Sequence, residues 1–179
     1  STIVNAVLGK PERRLKVPDA AVRFTRGGFA HVAHNESDRP FRNVTIEFLP
    51  AQTGARNLCA VVIPDQPLNC PADGGAVATG QAGSSSLPEF ESDQLRIGLL
   101  TLDQGATYAV AAAKIPPLLV ALDGTEAEGI VRVKIQGAAG TGTRPLRAGD
   151  VQEVPADLPY ELHSTGGGPS RFLVIAPKD

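Results

Sequence analysis

Short runs rich in Val, Ile, Leu and Thr, each broken by Gly or Pro, recur along most of the chain. That punctuation constrains the fold more than any other feature. Runs of this length suit strands, and turn residues separate nearly every pair. Strands are expected at 2–8, 13–17, 21–25, 30–35 and 42–49, then at 95–102, 107–113, 118–122, 129–135, 150–154, 160–164 and 171–176. With 19 Gly, 15 Pro and few aromatics, helices should be scarce, and the fold class is all-β, a sandwich or a closed barrel.

The 179 residues, 42% of them hydrophobic, suffice for one sound core or two small ones. A net charge of −2 and a pI near 5.9 give no overall field that would gather nucleic acid or anionic lipid. The first 45 residues are locally basic, carrying Lys10, Arg13, Arg14, Lys16, Arg23, Arg26, Arg39 and Arg42, which a solvated strand face explains. No apolar run approaches the roughly 20 residues of a membrane-crossing helix, so neither nucleic acid nor membrane is an expected partner. Methionine is absent, as expected of a chain processed at its N-terminus or starting inside a longer product.

Cys59 and Cys70 are the two cysteines, set in a Pro-rich stretch without His nearby. A structural disulfide is the expected role. Closing so short a loop contributes roughly 3 kcal/mol in the chain-entropy picture. Such a bridge points to an oxidising compartment, periplasmic or extracellular. Two buried thiols in a cytoplasmic protein are the alternative, and two sulfurs alone make a poor zinc site.

Three zones follow one another: a strand-rich block at 1–50, a Cys/Pro/Gly/Ser-rich linker at 51–94 whose most pliant part is 73–86, and a second strand-rich block at 95–179. The outer blocks repeat. Laying 24–40 on 153–169 without a gap aligns Val22 with Val151, His34 with His163, Pro40 with Pro169, Arg42 with Arg171 and Ile46 with Ile175. Upstream, 3–9 matches 118–124 at a smaller offset, which places an insertion in the intervening hairpin of the second copy. The chain thus reads as a partial module followed by a complete one.

From Gly105 onward the sequence resembles the cupin superfamily. Its first motif frame falls on Gly105, Ala111, Ala113, Pro117 and Gly124, keeping the glycines and placing non-ligating residues at the His-x-His and Glu positions. Its second falls on Gly149, Pro155, Asp157, Tyr160 and Ser164, with Tyr160 at the histidine position. In the first block the same frame meets Ala20, Arg26, Gly28, His31 and Asn35. The resemblance implies a double-stranded β-helix, a jelly-roll barrel, bicupin-like with an incomplete first module. It also implies a frequent metal held by three histidines and a glutamate, and frequent homodimers.

Ala111, Ala113, Pro117 and Tyr160 offer at most one phenol where a divalent metal needs three or four converging donors, so no cofactor is expected in 95–179. His31 is the remaining candidate metal ligand. His34 cannot join it simply, because a separation of three puts the two on opposite strand faces. Tyr160 and Tyr108, with His31, are the candidate ligand-binding residues; Lys114 borders the same frame as an ordinary surface lysine. The glycine-rich 137–144 stretch lacks the Gly-Lys-Ser/Thr ending of a P-loop, and no nucleophile elbow is present. The expected role is a small-ligand-binding or structural module; the alternative is an enzyme, metal-dependent through His31 or a metal-independent isomerase.

Overall fold

The computed structural model describes residues 1–18, 20–48, 51–72, 75, 77–122, 131–135 and 142–178. Among them lie fourteen strands and no helix: β1 (Thr2–Val7), β2 (Arg13–Lys16), β3 (His31–Asn35), β4 (Arg56–Asn57), β5 (Val77–Ala78), β6 (Ser84–Glu91) and β7 (Leu95–Leu102), then β8 (Thr107–Val110), β9 (Leu118–Ala121), β10 (Val131–Ile135), β11 (Gly142–Leu146), β12 (Val151–Glu153), β13 (Tyr160–Ser164) and β14 (Ser170–Pro177). The chain divides into two compact units, Ser1–Glu47 and Phe48–Asp179.

The first unit is a three-stranded antiparallel sheet in the order β2-β1-β3. An Arg14–Glu36 ion pair spans its surface at 3.0 Å. Two expected strands are not formed here. Residues 21–25 and 42–48 belong to no sheet, and Leu49 lies outside the described residues. The expected match of 3–9 to 118–124 is not reproduced either: β9 pairs with β12 and β14, whereas β1 pairs with β2 and β3 as β10 does with β11 and β13.

In the second unit, counting β7 to β14 as strands one to eight, one sheet runs in the order 6-3-8-1 and the other 5-4-7-2, all antiparallel. That is the strand order of a jelly roll, two Greek keys folded face to face, the architecture cupins use. The period-two pattern explains how it packs. Along β13 the residues alternate buried and half-buried, sending Tyr160, Leu162 and Ser164 inward and Glu161 and His163 out. Leu100 and Leu102 of β7, Leu119 and Ala121 of β9, and Phe172 of β14 meet them with Leu146 and Val154 in one buried cluster. Each fully buried Leu or Phe contributes about 1.5–3 kcal/mol.

The segment expected to be a linker carries β4, β5 and β6. Ser84–Glu91 pairs with β7 along its length, interrupted by a bulge between Pro88 and Phe90. Pairing with an apolar neighbour outweighs the weak strand propensity of Ser84, Ser85 and Ser86. The Cys59–Cys70 disulfide is present. Its loop winds around Asn57, which is fully buried, donates to the carbonyls of Ile63 (2.9 Å) and Gln66 (3.1 Å), and accepts from the amides of Val62 (3.0 Å) and Ile63 (2.7 Å).

Candidate functional site

The second-motif frame survives as backbone geometry. Gly149 stands at φ 83° and Asp157 at φ 58°, both left-handed, as Gly105 does at 75° in the first frame. Asp157 holds with a β-carbon a conformation most readily taken by glycine, and Asp is among the residues that tolerate it. Its amide donates to the carbonyl of Ala113 at 2.8 Å, and the amide of Val154 donates to that of Pro117 at 3.3 Å. The two frames therefore meet. Gly124 lies outside the described residues.

At their junction stand side chains that cannot coordinate. Ala111 and Ala113 follow the end of β8 in an exposed stretch, with Lys114 also exposed, and Pro117 is buried. Tyr160 is 3% exposed and sits opposite Val110, while Tyr108, half-buried, sits opposite Leu162. Burial pushes the Tyr160 phenol well above its ordinary range, and the neighbouring Tyr108 adds to the shift. A metal ligand must be deprotonated or a neutral donor. Two methyl groups, a proline ring and a phenol held protonated do not make a transition-metal site, so the residues present do not fit the metal that the fold class often carries.

His31 belongs to the first unit, exposed on β3, opposite Val7 and with its ring 5.4 Å from that of Phe29. Among the described residues no group of three His, Cys, Asp or Glu side chains converges. The second unit thus brings Tyr108 and Tyr160 together, and His31 belongs to the first unit.

Two polar constellations gave no sequence signal. On the outer face of β8 and β13, Thr107 Oγ1 and His163 Nδ1 are 2.9 Å apart, and His163 Nε2 is 3.4 Å from Glu161 Oε2. This hydroxyl–imidazole–carboxylate line lies on a partly exposed strand face and ties the two strands together. On the other sheet, the nearly buried Glu91 receives Arg56, Arg96 (3.2 Å) and Lys178 (3.3 Å). The Arg56 hydrogen bond, aided by Lys178 and Arg96, holds its carboxyl below the usual range against the opposing effect of burial.

Strand order, left-handed frame positions and an apolar interior define the class: an all-β protein of the cupin type, with non-ligating side chains at the frame's metal positions. Comparison with solved structures finds similarities at low sequence identity. The cupin domain of Schizosaccharomyces pombe Cnp3 is similar at 16% identity and a TM-score of 0.46, over 55% of this chain and 67% of that one. KdgF from a Halomonas species is similar at 14% identity and a TM-score of 0.46, over 61% and 94%. An RmlC-like cupin from Shewanella frigidimarina is similar at 17% and 0.44, over 61% and 90%. No family model matches the chain, and no curated protein does.

Proposed function

We propose that this chain is a cupin-type module that works without a metal in the barrel of its second unit, as a structural or small-ligand-binding protein. One observation carries the reading: Leu100, Leu102, Leu119, Leu162, Phe172 and Tyr160 pack together between the sheets, beside frame positions that offer no donor set. A ligand would meet the apolar wall and two phenols, Tyr108 and Tyr160, which suits a modest apolar or sugar-sized molecule. The disulfide supports a role in an oxidising compartment.

Elemental analysis of the purified, untagged protein tests this. The expected result is no stoichiometric Fe, Mn, Ni or Zn. One metal per chain that survives His31→Ala would overturn this reading, and one lost on His31→Ala would restore the metal-dependent enzyme reading through the first unit. A thermal-shift screen of sugars and small acids then separates the two roles: a shift that Tyr108→Phe or Tyr160→Phe removes assigns ligand binding, and none across the screen assigns a structural role.

A further inference from the structure

An asparagine accepts an N-linked glycan when Ser or Thr follows two residues later, with any residue but Pro between them. The sequence meets that rule at Asn35-Glu36-Ser37 and again at Asn43-Val44-Thr45, both in the first unit. The rule treats the two alike. Their folded surroundings do not.

Asn35 ends β3 and is half-buried. Its Oδ1 accepts from the Ser37 amide at 3.0 Å, and its Nδ2 donates to the Arg39 carbonyl at 2.8 Å. The Ser37 hydroxyl is engaged as well, accepting from the Thr2 amide at 2.7 Å. With the Glu36 amide donating to the Thr2 carbonyl at 3.0 Å, that bond extends the pairing of β1 with β3 by another residue. Amide and hydroxyl are thus both spent on closing the end of the sheet and the turn after it. A sugar on Asn35 Nδ2 would have to displace the chain at Arg39.

Asn43 is exposed and stands outside any sheet. Arg42 beside it has an interaction of its own. The Asn43 Nδ2 donates to Thr45 Oγ1 at 3.2 Å, which joins the acceptor amide to the hydroxyl that the rule requires. A hydrogen bond between two exposed groups exchanges readily for water, so substituting this nitrogen strands no buried partner.

We propose that Asn43 is an N-glycan attachment site, and that Asn35, although it meets the same rule, is left unmodified. The inference rests on the reading of the Cys59–Cys70 disulfide as the mark of an oxidising compartment, because the glycan is added to secreted chains. The donor is a glycosyl group carried on a lipid pyrophosphate. Asn43 Nδ2 attacks its anomeric carbon, the carbon–nitrogen bond forms as the carbon–oxygen bond to phosphate breaks, and the lipid pyrophosphate leaves while the amide gives up one proton. The remaining N–H can still donate to Thr45.

Secretion of the full chain from a eukaryotic host, followed by intact-mass analysis and a free-thiol titration, reads the site. The secreted protein is expected above 18.6 kDa by one glycan, which peptide-N-glycosidase removes with deamidation at position 43. The glycan should be lost in Asn43→Gln and Thr45→Ala and kept in Thr45→Ser, Asn35→Gln and Ser37→Ala. Because Asn43 is exposed, Asn43→Gln should keep the circular dichroism spectrum and unfolding midpoint of the deglycosylated protein. Secreted protein of 18.6 kDa without free thiols overturns the inference and leaves the compartment reading standing. Free Cys59 and Cys70 thiols overturn the compartment reading and the inference with it. A glycan on Asn35, removed by Ser37→Ala, overturns the inference as well.

Discussion

Tyr160 is buried in the apolar cluster of the second unit, and its environment makes two outcomes predictable. Truncating a buried aromatic removes both its transfer energy and its packing, so Tyr160→Ala is expected to cost about 3–5 kcal/mol in denaturant unfolding. Tyr160→His supplies an imidazole but no companions, because Ala111 and Ala113 carry only methyls. That variant is expected to take up no zinc in equilibrium dialysis. Glu91 sets the acid limb of stability. Its folded carboxyl titrates below the unfolded value of 4.5, so the folded state binds fewer protons there and stability falls as pH drops below about 4.5. In Glu91→Gln that limb should flatten, with a loss of about 1–2 kcal/mol at pH 7 from the unpaired cations. The inward direction of Tyr160 was legible from its place at the histidine position of the cupin motif frame. The cluster at Glu91 was not, because Arg56 and Lys178 lie 35 and 87 residues from it in sequence and pairing alone unites them.

Elements were legible where a strand carries its own apolar pattern and hidden where a neighbour imposes the structure. The positions of β7, β9 and β14 follow from their Val, Leu and Ile content. β6 is a run of serines ending in Pro88 and Phe90, and it becomes a strand because β7 offers it an edge. The same dependence appears beside β8, where the Gln81 side chain stands in for a missing strand: its Nε2 donates to the carbonyl of Ala109 and its Oε1 accepts from the amide of Ala109, each at 2.7 Å. Gln81→Ala is expected to cost about 1 kcal/mol and to speed hydrogen exchange at the Ala109 amide; unchanged protection there would refute the role. Gly75 is as demanding a position. It holds φ 71°, and a β-carbon there would overlap the sulfurs of the disulfide. Gly75→Ala should hinder closure of the Cys59–Cys70 bridge, seen as free thiols in a denaturing, non-reducing titration.

At the scale of the whole molecule, sequence repetition and motif spacing pointed to one jelly roll and the remains of another. The second unit has the strand order of the first kind. In the first unit, β1 takes the place of β10 and not of β9, a distinction that similarity over seven short residues could not draw, since both are apolar strands. Reducing the disulfide should lower the stability of the second unit by roughly 3 kcal/mol, read as an earlier denaturant midpoint. We propose that packed apolar side chains and two phenols, Tyr108 and Tyr160, leave no metal site in the second unit's interior. Calorimetric titration of the metal-stripped protein with Zn(II) tests it most directly. No saturable heat is expected up to about 100 µM free metal. One-site binding tighter than about 1 µM that Tyr160→Phe abolishes would contradict it.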